Sequence, residues 1–429
     1  MRVFRSGVLP DYSSSAFSCF LIAAGATIAL TTEGQASGFF VREQSTTGMA
    51  SAFAGASAGT GDASGMFYNP ATIIDLDRNQ TNIDLRLFMP DVEIEAHAAT
   101  SLLGANAIGF GDSGAMADTA VAPAAFATTR ISPDTVLGLG FSAPFAVVIE
   151  TQPQWAGQYQ LVKTEMLSWS VTPVIAHRLH ETLTVSAGLN YQHFEVDLRK
   201  KEILPIAPPF VFAESLGFLR GEDEALGFVA GVLWEPHEET RIGLGYRSEV
   251  KHELSGLAGV ELAAFPHDGA HFTVRTPQMV TLGLQQKLTD DLTFLGEVQW
   301  TEWSVFTGFD ISFDSGRANE LRPQVWQDTW FFSGGLRYQI LEHTSVSAGF
   351  AVEEAISTGA GNSLSPDGDR RQLTFGISQD LSDDLTVNAS YSHTWFDDAQ
   401  INVTNTSGTL AGTFHSDLDI FGFSLTHRW

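Results

Sequence analysis

Downstream of residue 79, apolar and polar residues alternate with a period of two. Leu385, Val387 and Ala389, for example, are interleaved with Thr386 and Asn388. Successive side chains of a β-strand point to opposite faces, so this period predicts strands with one apolar and one polar face. In a soluble sandwich the apolar face would be the core. In an outer-membrane barrel it would face lipid, and the polar face would line the lumen.

The connections between the strands favour the barrel. Fourteen strands are predicted, and tight turns alternate with long loops between them. The predicted strands cover residues 80–89, 121–131, 135–145, 166–179, 183–197, 225–235, 240–251, 271–289, 292–303, 328–340, 344–353, 370–381, 385–396 and 414–429. The six tight turns are Ser132–Asp134, His180–Thr182, Pro236–Thr240, Asp290–Asp291, Leu341–His343 and Ser382–Asp384. Short turns at one end and long loops at the other predict an all-β fold, a 14-stranded antiparallel transmembrane β-barrel spanning residues 79–429.

The aromatic residues fit the same prediction. Phe421, Phe423, Leu425 and Trp429 alternate up to the end of the sequence. A final strand that ends in an aromatic residue is typical of substrates of the barrel-assembly machinery, which is therefore an expected partner. Other aromatic residues near strand ends are interpreted as interface girdles. They are Trp155, Trp169, Trp234, Tyr246, Trp300, Trp303, Trp330, Tyr338 and Trp395.

Residues 1–36 have the pattern of a secretory signal peptide. Arg2 and Arg5 precede the apolar stretch Ala16–Leu30, which is too short to span a bilayer. Small residues in the segment Gly34–Ala36 predict cleavage after residue 36. A membrane anchor is the alternative. The single cysteine, Cys19, lies inside this segment, so the mature chain is expected to form no disulfide.

Composition narrows the possible functions. Only 17% of the residues are charged, against about 25% in soluble domains, and 50 acidic residues outnumber 23 basic ones. So few basic residues exclude nucleic acid as a partner. The sparse charge instead fits an outer surface in contact with outer-membrane lipid. Some of the acidic residues are expected to meet divalent cations at the lipopolysaccharide surface. The sequence has no metal-ligand spacing, nucleophile motif or phosphate-binding motif, so we expect no cofactor, no metal and no enzymatic activity.

Residues 37–78, which precede the first strand, differ from the rest of the chain. They are rich in glycine, alanine and serine and show no alternation. One interpretation is a flexible leader or a short helical pair outside the barrel. The other is a plug, because small side chains permit close packing inside a lumen and glycine can change backbone conformation at low cost.

The segment Asp62–Ala71 resembles the hatch signature of the FadL/TodX family, outer-membrane transporters of long-chain fatty acids and aromatic hydrocarbons. The resemblance implies a barrel in the bacterial outer membrane, closed by an N-terminal hatch formed by residues 37–78. The gating residues it implies are Gly65, Phe67, Asn69, Pro70 and Ala71. Further similarities follow in order at Ser37–Phe39, Ala143–Phe145, Trp155–Tyr159, Tyr246–Lys251, Thr276–Met279, Trp300–Ser304 and Pro366–Arg370.

The resemblance also implies a route. A hydrophobic ligand would land among the extracellular loops, enter an inner pocket and leave sideways through the wall by passive diffusion. Two predicted loops, 203–219 and 254–265, are unusually apolar and are expected to capture this ligand, although loop packing or self-association is an alternative. The capture candidates are Phe210, Phe212, Leu216, Phe218, Leu257, Leu262 and Phe265.

Four further residues concern the pocket and the exit, Pro144 and Phe145 the exit and Arg247 and Lys251 the pocket, and one residue departs from the family. Pro144 lacks an N–H, so it would kink or open the third strand beside Phe145, unless it simply ends that strand. Arg247 and Lys251 are candidates for binding a carboxylate in the inner pocket. Glu195 stands roughly where some relatives place a ligand-binding arginine, which leaves neutral hydrocarbons open as ligands.

Two functional hypotheses follow. The first is a passive, hatch-gated transporter of hydrophobic small molecules. The second is a general porin, or a structural or adhesive barrel, in which the hatch is only structural. A phospholipase-like enzyme is a third possibility, but it lacks a recognisable nucleophile motif.

Overall fold

The structure is a computed structural model that describes residues 38–101, 103–104, 106–207, 211–263, 265–357, 367–405 and 408–429. Over these residues the chain forms a closed antiparallel β-barrel of fourteen strands, which confirms the predicted fold class. The predicted signal peptide and the capture candidate Phe210 lie outside the described residues.

The described residues contain twenty β segments, nineteen of which build the barrel. Five barrel strands consist of two segments each, namely β3 with β4, β8 with β9, β10 with β11, β12 with β13, and β18 with β19, while β14 only extends a hairpin from β13. The segments are β1 (Gln80–Ser101), β2 (Ala120–Ser132), β3 (Thr135–Ser142), β4 (Ala146–Glu150), β5 (Lys163–His180), β6 (Leu183–Ala207), β7 (Val211–His237), β8 (Thr240–Arg247), β9 (Val250–Val260), β10 (Asp268–Thr276), β11 (Met279–Lys287), β12 (Leu292–Thr301), β13 (Gly308–Phe313), β14 (Glu320–Pro323), β15 (Thr329–Leu341), β16 (Thr344–Glu353), β17 (Arg370–Ser382), β18 (Leu385–Phe396), β19 (Ala399–Asn405) and β20 (Gly408–Arg428).

The last strand closes the barrel on the first. β1 pairs with β2 on one side and with β20 on the other, from Gln80 opposite Arg428 to Ser101 opposite Gly408. Alternation follows the predicted faces: Phe423 is exposed on the outside, whereas Asn82 is buried and donates a hydrogen bond to the Thr426 hydroxyl at 2.9 Å. Closure satisfies backbone groups that an open edge would leave unpaired in lipid.

All six predicted tight turns occur at one end of the barrel, which we call the short-turn end. At the opposite end, which we call the long-loop end, the structure differs from the prediction. Most of the predicted loop 203–219 belongs to the paired strands β6 and β7, and β9 continues through residue 260. Strand pairing satisfies the backbone of these apolar segments, which an open loop of that length would leave to water.

Residues 38–78 fold as a hatch within the barrel. They form the short helix α1 (Thr46–Met49) and three 3₁₀ turns, Ala56–Ala58, Ala63–Phe67 and Pro70–Asp75. These elements contact strands all around the wall and are almost wholly buried, so a leader outside the barrel is wrong. Two further 3₁₀ turns, Ile108–Phe110 and Trp303–Val305, lie in connections. Within the described ranges, no helix has both the length and the apolar character needed to cross a bilayer.

Most of the predicted girdle residues lie on strands, but two do not belong to a girdle. Trp330 and Trp395 are more than 40% exposed on the outer face. Trp155 and Trp303 are fully buried, and the Trp155 indole donates to the Leu161 carbonyl at 2.8 Å. Both lie in irregular segments that fold inward, where strand alternation no longer determines the face.

Candidate functional site

Asn69 fixes the hatch to the barrel wall. Its side-chain oxygen accepts a hydrogen bond from the Ala71 N–H at 3.0 Å and caps the 3₁₀ turn that begins at Pro70. Its amide donates to the Val232 carbonyl of β7 at 2.9 Å. A Cβ at Gly231 would lie 1.9 Å from the Asn69 side-chain oxygen, so the close approach requires glycine at this position of the wall.

Gly65 and Phe67 also hold the hatch. A Cβ at Gly65 would lie 2.8 Å from the Thr72 hydroxyl, so this turn is packed without space for a side chain. The Phe67 ring lies 4.6 Å beneath the guanidinium of Arg247, and the Phe67 carbonyl accepts a hydrogen bond from it at 3.2 Å. Arg247 also donates to the Asn190 side chain at 3.1 Å. It faces the lumen, where its hydrogen bonds support the hatch.

Lys251 lies on the opposite face from Arg247. Its side chain is on the outside of the barrel and pairs with Glu253, while His252 points inward and is buried. The interruption between β8 and β9 at Ser248–Glu249 shifts the alternation by one residue. The prediction that Lys251 lines the inner pocket is therefore wrong, because its side chain is on the outer face.

Phe39, at the start of the hatch, occupies the centre of a group of aromatic rings, which we call the aromatic cage. Phe39 is fully buried, and every cage ring is less than 10% exposed. The distances from the Phe39 ring centroid are 5.7 Å to Phe145, 5.9 Å to Phe194, 4.9 Å to Trp303, 5.5 Å to Phe306 and 5.8 Å to Trp326. The cage provides a dry aromatic surface in the lumen, shaped around one hydrophobic group.

The third barrel strand is interrupted beside this cage. β3 ends at Ser142 and β4 begins at Ala146, with Pro144 and Phe145 between them. Hatch backbone pairs with the interruption: the Val41 N–H donates to the Pro144 carbonyl, and the Ala146 N–H donates to the Phe39 carbonyl, both at 2.8 Å. The hatch therefore supplies hydrogen bonds at the point where the wall breaks.

Pairing with the second strand is also lost there. The ladder between β2 and β3 stops at Ala125 opposite Phe141, and β4 pairs with β5. In the described part of the chain, no ladder joins β4 to the start of β2 at residues 120–124. The wall consequently contains a gap between its second and third strands, flanked by the hatch.

A buried ion pair connects the hatch to the wall on the other side; we call Arg42, Glu353 and Arg370 the charged latch. The Arg42 guanidinium donates to both Glu353 oxygens, at 2.7 and 3.2 Å, and lies 3.7 Å from the centroid of the Phe331 ring. Arg370 is 3.9 Å from Glu353. Burial raises the pKa of the neighbouring hatch carboxyl Glu43, although Arg42 opposes this shift.

At the long-loop end, a groove of about 680 Å³ lies among β6, β7, β9, β13, β14 and β19. Its lining combines aliphatic and aromatic side chains with four basic ones and with the acidic Glu202 and Glu320. The basic residues are Lys200, Lys201, Arg317 and Arg322, and the apolar residues include Ile203, Leu204, Phe218, Leu219, Val260, Ile311, Phe313, Leu321 and Val403. The apolar lining suits a molecule with a long apolar part. Each of the four basic side chains already forms an ion pair with an acidic residue.

An apolar row joins the groove to the aromatic cage. Phe309, Ile311 and Phe313 share the buried face of β13, and the last two line the groove. The ring centroids of Phe309 and Phe306 are 5.7 Å apart, and Phe306 belongs to the cage. β13 was not predicted, because it is a short segment within a predicted loop and only its period of two indicates a strand.

The capture candidates do not form one patch. Phe218, Leu257 and Leu262 line a depression of about 930 Å³ on the outer face, and only Phe218 also lines the groove. Phe212 is exposed, while Leu216 and Phe265 are half-buried. Strand pairing separates these residues because alternate side chains of β7 and β9 point to opposite faces of the wall.

These features define a class: a closed outer-membrane barrel whose lumen is filled by its own N-terminal hatch. The family of outer membrane transport proteins (OMPP1/FadL/TodX) matches residues 27–429, and the chain belongs to this family. Its location is the bacterial outer membrane, so the short-turn end is periplasmic and the long-loop end extracellular.

Related proteins are similar to this chain over nearly its whole length. A protein of Neisseria meningitidis serogroup B that is named as a putative outer membrane protein is 27% identical, with 92% of this chain and 95% of the relative covered. The long-chain fatty acid transport protein of Escherichia coli O6:H1 is 23% identical, covering 90% and 93%. Among solved structures, a Pseudomonas aeruginosa FadL homologue has a TM-score of 0.84 at 21% identity, covering 91% of this chain and 99% of that one. The Pseudomonas putida toluene transporter TodX has a TM-score of 0.63 at 15% identity, covering 86% and 94%.

Proposed function

We propose that this protein takes up hydrophobic small molecules, long-chain fatty acids or aromatic hydrocarbons, by passive, hatch-gated diffusion. The observation that carries the proposal is the aromatic cage occupied by Phe39 and joined to the extracellular groove by an apolar row. Relatives named for fatty acid and toluene transport support the substrate class.

In this proposal the ligand first rests in the extracellular groove. The apolar lining holds a chain or ring. An anionic end, when one is present, replaces acidic partners such as Glu202 of Lys200 and Glu320 of Arg322. The ligand then follows the buried face of β13 toward the cage. It takes the place of the Phe39 ring, and contacts between aromatic rings are replaced by contacts with the ligand at little net cost.

Displacing Phe39 also affects the wall. The hydrogen bonds to Pro144 and Ala146 are made by the backbone of residues 39–41, so withdrawal of this segment frees the gap beside β4. The ligand leaves sideways through this gap into the outer leaflet. Movement follows the concentration gradient, so the proposal involves neither an energy source nor an enzymatic step.

We propose that the apolar zone of the outer face contacts outer-membrane lipid and that the charged zone contacts lipopolysaccharide. The barrel-assembly machinery is the proposed partner of β20, which ends beside Trp429.

Uptake measurements test this function. Cells producing the protein are expected to accumulate labelled oleate or toluene faster than cells with an empty vector, while liposomes containing it stay impermeable to small sugars. Free passage of sugars without faster uptake of either hydrophobic molecule would support the general porin instead.

A further inference from the structure

The outer face of the wall changes from apolar to charged at one level of β6 and β7. On β6 the outward Leu189, 59% exposed, is followed along the same face by His193 and Glu195. On β7 the outward Leu226, 67% exposed, adjoins outward acidic residues including Glu222. Such a change marks the extracellular edge of a lipid-facing belt. The residues above it lie at the level of the lipid headgroups.

Two carboxylates meet at this level without a close ion pair to lysine or arginine. Glu195 of β6 stands directly opposite Glu222 of β7, and like charges directly opposite in an antiparallel pair are destabilising. Among the described residues, no lysine, arginine or histidine nitrogen lies within 4.0 Å of either carboxylate. The neighbouring Asp197, by contrast, has three basic side chains within that range. They are Lys163 at 3.7 Å, Arg199 at 2.7 Å and Arg220 at 3.3 Å.

His193 completes the cluster. One ring nitrogen of His193 and one oxygen each of Glu195 and Glu222 all lie within 4.8 Å of one another. The Nδ1 atom is buried and has no hydrogen-bond partner. Trp169 stacks on the imidazole at 5.3 Å with an interplanar angle of 20°, which holds the ring in place. A nitrogen ligand and two carboxylates are a donor set that Zn²⁺ accepts.

We propose that His193, Glu195 and Glu222 bind a divalent transition-metal ion of the Zn²⁺ type on the outer face of the barrel. Small side-chain rotations close the three groups around the ion. The ion supplies the missing positive charge between the opposed carboxylates and ties β6 to β7 above the membrane. Three protein ligands leave one position of a tetrahedral site open to water. The three side chains are on the outer face, whereas the aromatic cage lies in the lumen.

Zinc titration of the tag-free mature protein in detergent, stripped of metal beforehand, tests this proposal. Isothermal calorimetry is expected to detect one Zn²⁺ per chain. His193→Ala and Glu222→Gln are each expected to weaken binding by at least about tenfold, because changing even an outer-shell partner of a metal ligand costs about 10–100-fold and these residues are the proposed ligands themselves. Matched controls are His180→Ala at the periplasmic turn and Glu253→Gln, whose carboxylate already pairs with Lys251; both should bind as the wild type does.

Heat-dependent mobility in gel electrophoresis verifies that every variant is a folded barrel. Absence of stoichiometric Zn²⁺ binding in the wild type would overturn the proposal. Undiminished binding in folded His193→Ala or Glu222→Gln would overturn it as well. Oleate and toluene uptake should be the same in these variants as in the wild type. The metal site and the transport function are therefore tested independently.

Discussion

Phe39 belongs to two parts of the proposed route, the aromatic cage and the gap in the wall. Its ring occupies the aromatic cage, and its carbonyl accepts the hydrogen bond from Ala146 at the wall gap. No single pattern in the sequence reveals this double role, because the cage rings are separated by up to about 180 positions along the chain. Phe145 alone was anticipated, through its neighbour Pro144, whereas Trp303 was assigned to the lipid interface.

Replacing Phe39 by alanine should empty the cage while leaving the backbone contacts available. We expect Phe39→Ala to bind toluene, or a fluorescent fatty acid, about tenfold more tightly than the wild type does, because the ligand no longer competes with the Phe39 ring. Calorimetric titration of the purified protein measures this. Phe126→Ala, which removes another fully buried ring outside the cage, is the matched control. Equal affinities of the two variants would contradict the role assigned to Phe39.

A second prediction at the scale of one residue concerns Arg42 of the charged latch. Arg42→Gln leaves Glu353 buried with only the more distant Arg370, and breaking a buried pair in this way costs about 3–5 kcal/mol. The hatch should loosen, and planar bilayers should show a higher ion conductance. Arg78→Gln is the control, because its pair with Asp384 is exposed and contributes at most about 1 kcal/mol. A conductance in Arg42→Gln no higher than in the control would argue against a latch.

At the scale of elements, the period of two predicted strands and turns well but failed where strands are interrupted. Alternation inverts at the break between β8 and β9, so Lys251 was assigned to the wrong face. The apolar residues of 203–219 were interpreted as a loop, although they continue the hairpin of β6 and β7. Breaks and extensions depend on pairing partners, which one strand's own sequence does not specify.

The fit between hatch and wall makes a prediction at this scale. Gly231→Ala would place a methyl group 1.9 Å from the Asn69 side-chain oxygen, so the cap of the turn starting at Pro70 should be lost. Hydrogen exchange of residues 69–75 is expected to accelerate at least fivefold, corresponding to the about 1 kcal/mol that a cap contributes. Gly334→Ala, where a Cβ meets nothing within 4 Å, should leave that exchange unchanged. Unchanged exchange in Gly231→Ala would show that the contact is dispensable.

At the scale of the whole molecule, barrel closure creates the site. The cage draws on the third and fifth strands and on the connections around Trp303 and Trp326, which meet only because the wall curves around the hatch. The number of strands follows from local alternation, whereas the lumen geometry follows from which strands face each other across it. This is why the fold could be predicted from the sequence, and why most of the candidate site could not.

The central claim is that residues 39–41 must leave the third strand for transport to occur. Phe40 and Phe145 form an antiparallel bridge between hatch and wall, and such pairs lie at distances that a disulfide spans. The double variant Phe40→Cys/Phe145→Cys can therefore lock the hatch. The natural sequence has a single cysteine, Cys19, which lies in the predicted signal peptide. Phe40→Ser/Phe145→Ser controls for the two lost rings.

Uptake of labelled oleate or toluene by cells producing the locked variant is the decisive measurement. The oxidised variant should transport at the level of the empty vector, and reduction should restore the rate of the serine control. Equal uptake by the oxidised and reduced forms, with the disulfide verified by mass spectrometry, would contradict hatch-gated lateral exit.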